Sequence, residues 1–169
     1  MEAPELATDR LVLRPVRPAD RGRLAEILAE PAVARWWGPG SLAEAVEDFF
    51  APDVTAFAIE VDGQVVGCIQ FTEEEDPDYR HAGIDLFLDT EHQGRGLGPE
   101  ALRLLAHWLF AERGHHRLTI DPAAANERAI RAYEAVGFRR VGVMRRYERG
   151  ADGTWHDGLL LDLLADELR

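Results

Sequence analysis

The sequence of 169 residues contains one cysteine, Cys68, so no disulfide can form within the chain. A reducing compartment, the cytoplasm, is the expected setting. No apolar run approaches the ~20 residues that span a bilayer, so no membrane partner is expected. The opening residues Met1-Glu2-Ala3-Pro4-Glu5 are acidic and lack the apolar stretch of a secretory leader. Cations are scarce: 19 Lys and Arg against 31 Asp and Glu leave a net charge of −12. Neutralising phosphates takes clustered cations, so no nucleic-acid partner is expected. Six histidines include the adjacent pair His115-His116, but no third ligand has usable spacing, and no metal site is expected. Repeats and low-complexity tracts are also absent.

An apolar fraction of 46% over this length is enough for one domain with a real core, spanning 1–169. The acidic surplus suits a cationic substrate, and it equally suits plain solubility. Hydrophobic periodicity predicts strands over 10–14, 56–61, 64–72, 81–88 and 117–121, with a final hairpin pairing 138–147 with 155–164. Helices are predicted from Pro18 to before Pro31, over 42–50, over 96–113 and over 126–136. Gly38-Pro39-Gly40 closes the short apolar segment 33–37. Asp62-Gly63 signals a tight hairpin. The run Glu73-Glu74-Glu75-Asp76-Pro77-Asp78 reads as a solvated loop. This order gives an α/β domain around one mixed sheet.

The strongest local signal is a strand, a turn and a helix across 83–109. The turn is Gln93-Gly94-Arg95-Gly96-Leu97-Gly98. Its glycines leave backbone N–H groups unobstructed at a helix start, where orphan donors and the positive dipole end favour an anion. Arg95 can add a charge-assisted contact. The alternative is a glycine turn that merely starts a helix. The turn is neither a dinucleotide fingerprint, since Pro99 stands where that motif needs glycine, nor a Walker loop, since no G-K-[ST] follows. A second unit is Asn126-x-x-Ala129-x-x-x-Tyr133-x-x-x-Gly137-Phe138. Ala129 and Tyr133 share a helix face, and the small Ala129 leaves room for a ligand beside Tyr133. Core packing with a wet hydroxyl is the alternative for Tyr133.

Together these units resemble the GNAT superfamily of acetyl-CoA-dependent N-acetyltransferases. The resemblance implies a mixed, mostly antiparallel central sheet flanked by helices. It implies acetyl-CoA as donor, coenzyme A as product and no metal. It assigns the pyrophosphate to residues Gln93, Gly94, Arg95, Gly96, Leu97 and Gly98, and the pantetheine arm to the backbone of Asp85, Leu86, Phe87 and Leu88. Asn126 would bind that arm or an ordered water, and Tyr133 would reprotonate the leaving thiolate. A phenol titrates above a thiol, so Tyr133 stays protonated at neutral pH and can donate. Attack by the amine is expected to be direct. Cys68 has no histidine or aspartate close in sequence to activate it and reads as a core residue.

Three features narrow the acceptor. Asp85 interrupts the apolar strand Ala82-Gly83-Ile84-Asp85-Leu86-Phe87-Leu88, so it either faces a polar cleft or pairs with a buried base. The cleft is favoured, because the strand leads into the turn. Asp121 closes Thr119-Ile120-Asp121-Pro122 at a strand end, where α/β sheets place ligands and where turn-capping aspartates also occur. Trp36 and Trp37, beside Gly38, can wall a cleft or pack in the core. The three are similar to segments of the aminoglycoside 6′-N-acetyltransferases of the GNAT type, with Glu75 and Asp76 resembling their acidic specificity loop. That resemblance implies a small cationic amine as substrate, held by Trp36, Glu75, Asp76, Asp85 and Asp121. Asp85 would orient the reacting amine and help deprotonate it. The C-terminal hairpin also looks like acetyltransferases that modify protein N-termini, and a non-catalytic acyl-CoA sensor is a third reading. A monomer or homodimer is expected.

Overall fold

The computed structural model describes residues 3–38, 40 and 42–169; Met1, Glu2, Pro39 and Ser41 lie outside the described residues. The expectations for the leader segment and for the turn at Pro39 therefore fall partly outside them. Eight strands form one sheet: β1 (Leu6–Ala7), β2 (Val12–Pro15), β3 (Val54–Val61), β4 (Gln64–Glu74), β5 (His81–Leu88), β6 (Arg117–Ile120), β7 (Arg139–Arg149) and β8 (Trp155–Leu164). Their order is β1-β2-β3-β4-β5-β6-β8-β7. β5 and β6 run parallel, and the other neighbouring strands are antiparallel, which matches the mixed, mostly antiparallel sheet. A parallel pair needs a crossover. α4 (Leu97–Ala111) supplies it.

Period-two alternation along β5 sends its residues to two helical layers. Ala82, Ile84 and Leu88 join the larger core with Leu102, Leu105 and Leu109 of α4 and with Ile130 and Val136 of α5 (Glu127–Val136). Phe87 joins a second core on the other face. That core holds Leu24, Ile27 and Leu28 of α1 (Arg21–Ala29), Val33 of α2 (Pro31–Ala34) and Val46 of α3 (Leu42–Asp48). Gly83 and Asp85 share the Phe87 face. β5 is mostly apolar because helices cover both its faces, and the exposed Asp85 marks where that cover opens.

Two expectations change. The strand β1, two residues long, is too short to show periodicity and was not expected. The acidic run is not entirely loop: Glu73 and Glu74 belong to β4. Glu73 is half-buried because cations compensate it. It accepts from Arg113, and its other oxygen lies 2.6 Å from His115 Nε2. These bonds fix the end of β4 to the loop that precedes β6. The hairpin at Asp62-Gly63 is present, with positive φ of 49° and 74° at its two residues, as a type I′ turn requires. Cys68 is buried in β4.

Candidate active site

β5 and β6 pair only at Ala82–Leu118 and Gly83–Thr119, then part. Beyond Gly83 the β6-facing edge of β5 has no strand partner, which leaves room for an extended ligand beside Leu86, Phe87 and Leu88. A cavity of about 520 Å³ opens at this parting. It runs along Leu86, Phe87 and Leu88 to Gln93, Gly94, Gly96, Gly98 and Pro99, and Asn126, Ala129 and Tyr133 line its other wall. Leu97 is buried, and Arg95 is exposed beside the turn.

The turn at the end of this groove has the character of an anion cradle. Gly94 and Gly96 adopt φ of +77° and +78°, a left-handed conformation that costs other residues about 1–2 kcal/mol. No side chain caps α4, so the Leu97 and Gly98 N–H groups keep the unsatisfied donors of a first helical turn. Gln93 Nε2 donates to the Leu88 carbonyl at 2.9 Å and closes the turn onto β5. Arg10 Nη1 donates to the Arg95 carbonyl at 2.9 Å, while Arg10 also pairs with Glu100. The Arg95 guanidinium keeps no partner among the described residues. Arg128 is a cation here that sequence reasoning missed: a β-carbon on Gly94 would fall 2.6 Å from its Nη2. Its position two residues after Asn126, in the first turn of the predicted helix, was the available signal. These donors and cations fit the pyrophosphate of coenzyme A, and the free β5 edge fits an amide-bearing arm.

Asn126 caps α5, its Oδ1 accepting from Ala129 N at 3.3 Å, which leaves Nδ2 without a partner among the described residues. Tyr133 stands one turn on from Ala129 and packs against Phe138 with centroids 6.4 Å apart. Burial, with Asp85 and Asp121 adding repulsion, pushes its phenol well above the ordinary value. The hydroxyl therefore holds its proton at neutral pH.

Tyr133 also lines a second cavity of about 460 Å³, with Trp36, Trp37, Asp85, Leu86, Asp121, Asn126, Tyr147 and Glu148. Three carboxylates and two phenols thus converge on one cavity. Trp37 serves the core as well, meeting Phe49 and Phe87 edge-on at 6.0 and 5.1 Å. Trp36 lines both cavities, under the Arg35 guanidinium at 4.4 Å. Among the described residues Asp85 has no basic partner; its Oδ1 accepts from Leu86 N at 2.9 Å. Asp85 is exposed toward the cleft, with protein atoms crowded around its carboxyl. Burial first, then the charge of Asp121, raises its pKa to about 7. Glu148 titrates high too, from burial and the same neighbour. An ammonium would find strong counter-charge here, and a carboxyl poised near neutrality can take its proton.

Glu75 and Asp76 stand apart. They are exposed in the turn between β4 and β5 and line neither cavity. Four residues of β5, about 13 Å at 3.3 Å per residue, separate His81 from Asp85. Glu148 and Tyr147 take up the acidic, polar wall instead; both lie in the predicted final hairpin, but nothing local told which of its residues turn inward. Cys68 is no nucleophile: burial pushes its thiol far up, with Asp85 and Asp20 adding to the rise. Among the described residues no group of three or more acidic, histidine or cysteine side chains is arranged to hold a metal. None of their helices is long and apolar enough to cross a membrane.

The model of the acetyltransferase (GNAT) domain family matches residues 10–139. The chain is 31% identical over 159 residues to the aminoglycoside N(6′)-acetyltransferase type 1 of Klebsiella pneumoniae, covering 82% of this chain and 78% of that protein. It is 26% identical over 133 residues to the spermidine N(1)-acetyltransferase of Escherichia coli K12, covering 75% and 71%. Among solved structures, AAC(6′)-Ib in complex with ribostamycin and coenzyme A superposes with a TM-score of 0.77 at 27% identity, covering 94% of this chain and 96% of that one.

Proposed function

Because the chain belongs to the GNAT acetyltransferase family, and is thus an acetyl-CoA-dependent N-acetyltransferase, we propose that its acceptor is the 6′-amine of an aminoglycoside antibiotic. The observation that carries this reading is the convergence of Asp85, Asp121 and Glu148 on one cavity beside Tyr133. Aminoglycosides are polyammonium ions, and a cleft with three carboxylates suits several ammonium groups at once. Likeness to AAC(6′)-Ib and to the Klebsiella enzyme supports the same acceptor.

Bound acetyl-CoA supplies the acetyl group as an activated thioester. The Gly94 to Gly98 donors, Arg95 and Arg128 hold its diphosphate, and the free β5 edge with Asn126 aligns the arm. Trp36, Asp121 and Glu148 hold the acceptor. Acidic surroundings also raise an ammonium pKa, and each unit adds about 1.4 kcal/mol to the cost of the free amine. Asp85 offsets this by accepting the proton from the reacting nitrogen, directly or through water. Tyr133 Oη keeps a proton for the leaving sulfur. Work in the cytoplasm is part of the proposal; the buried free thiol of Cys68 fits a reducing compartment. Antibiotic resistance is the physiological consequence it implies.

The decisive assay follows coenzyme A release with acetyl-CoA and kanamycin or tobramycin. Absence of turnover across 6′-amino drugs overturns the reading. A second reading is acetylation of a peptide N-terminus. It is favoured by a further cavity of about 690 Å³ between Trp36, Glu148 and the β7–β8 hairpin, which shares Trp36 and Glu148 with the acceptor cavity. Turnover of short peptides in the same assay, without drug turnover, selects it.

A further inference from the structure

The β7–β8 ladder is interrupted beside the acceptor cavity. Met144 pairs with Gly158 and Glu148 with His156. Three residues of β7 thus face Asp157 alone on β8, a bulge of the kind that re-aims side chains. Arg146 adopts φ of +48° within it, and its N–H donates to Asp157 Oδ1 at 2.8 Å, which fixes the bulge from across the ladder. Gly158 lets the displaced ring settle. A β-carbon there would sit 2.8 Å from Tyr147 Cδ1 and 3.4 Å from Met144 Cε. The result is a half-exposed Tyr147 whose hydroxyl donates to Asp121 Oδ2 at 2.5 Å. That is the only hydrogen bond to the Asp121 carboxylate among the described residues.

A carboxylate at the end of a strand, beside a cleft, has free rotation about its side-chain bonds. One neutral donor on Oδ2 selects a rotamer and leaves Oδ1 with open lone pairs. A neutral donor does this without cancelling the charge, whereas an arginine in the same place would compete with an incoming ammonium. The bulge aims Tyr147 at Asp121, and no other residue of β7 reaches that carboxylate.

We propose that Tyr147, carried by the β7 bulge, is a positioning residue for the acceptor: its hydroxyl fixes Asp121 so that the free carboxylate oxygen receives an ammonium group of the substrate. The inference rests on reading Asp121 as an acceptor-binding group, and it names the device that makes that group directional. It separates this chain from a plain acidic cleft, in which counter-charge alone would set affinity.

The test is Tyr147→Phe, which keeps the ring on Gly158 and removes only the hydroxyl. With kanamycin as acceptor, KM for kanamycin should rise about tenfold, the scale of a lost hydrogen bond to a charged group. Within threefold, kcat and the KM for acetyl-CoA should stay unchanged. Combined with Asp121→Asn, the two substitutions should be strongly sub-additive, because the hydroxyl acts through that carboxylate. An unchanged KM, or fully additive effects, overturns the proposal. Spermidine replaces kanamycin if kanamycin is not turned over. Failure of every 6′-amino drug sinks the aminoglycoside reading and leaves this one testable, since spermidine also presents ammonium groups. An acceptor-free arm uses NMR of ring-labelled tyrosine. Tyr147, whose hydroxyl is held by Asp121 and pushed up to about 12, should remain protonated at pH 11 and ionise there in Asp121→Asn. Ionisation of Tyr147 well below pH 11 in the native chain overturns the proposal whatever the acceptor.

Discussion

Asp121 is the first residue after β6 while Asp85 lies inside β5, and the charge of Asp121 is, after burial, the main cause that lifts the Asp85 carboxyl to about 7. The two strands pair only at their first residues and then diverge, so both carboxylates face the space between them. A like charge disfavours ionisation of its neighbour. Asp121→Asn should therefore lower the Asp85 pKa. The ascending limb of kcat/KM against pH, with its midpoint near 7 in the native enzyme, should move to lower pH. A limb that does not move shows that the two groups are uncoupled.

The same shift has a stability consequence of definite sign. An unfolded aspartate titrates near about 3.9, below the folded Asp85. Between about 4 and 7 the native state binds more protons than the unfolded one, so unfolding free energy falls as pH rises through that window. Asp85→Asn should remove this fall, which urea titrations at pH 4.5 and 7.5 would resolve. It should also abolish the pH limb in activity.

Tyr133→Phe removes the hydroxyl and keeps the ring on Phe138. Loss of a general acid lowers the rate by about 10²–10⁴. The change should fall on kcat, with acetyl-CoA affinity by calorimetry within twofold of native. A mutant of near-native rate assigns the proton to another group.

Arg128→Ala and Gly94→Ala separate the two components of the diphosphate cradle. The first removes a cation and should raise KM for acetyl-CoA about tenfold, with a flatter salt dependence. The second puts a β-carbon on a left-handed residue and 2.6 Å from the Arg128 guanidinium, so it should weaken acetyl-CoA binding and displace that arginine together. Neither should alter KM for the amine. An amine-specific effect would place the cradle at the wrong ligand.

Stability away from the cleft rests partly on Arg14, buried with Asp20 at 2.8 Å and with Glu60 at 2.6 Å. Asp20→Ala leaves a buried guanidinium short of one partner, and breaking such a pair costs about 3–5 kcal/mol. Here the sign with pH is the reverse of that at Asp85. Arg14 holds the Asp20 carboxyl below its usual value, so its contribution is present above the unfolded pKa and is lost as pH falls through the lower folded one. Chemical denaturation at pH 7 and at pH 3 tests both statements.

The sequence by itself determined most of the elements, and the resemblance carried by its motifs implied the donor. Alternation and helical periodicity placed every strand of four or more residues, and the glycines at 94 and 96 marked a turn built on left-handed backbone. Those are local properties, set by backbone sterics and by faces repeating at two or 3.6 residues, so they are legible along the chain. Tertiary structure alone decided the acceptor wall. Glu73 looked like part of a solvated acidic run until Arg113 and His115, forty and forty-two residues away, were seen to compensate it. Glu75 and Asp76 looked like a specificity loop, yet the length of β5 holds them away from the cleft. Arg128, Tyr147 and Glu148 entered the site through the position of one helix and a bulge whose register depends on Gly158 and Asp157 of the partner strand. Charge convergence and burial are set by contacts distant in sequence, which is why the pKa of Asp85, and with it the chemistry of the amine, appears only in the folded chain.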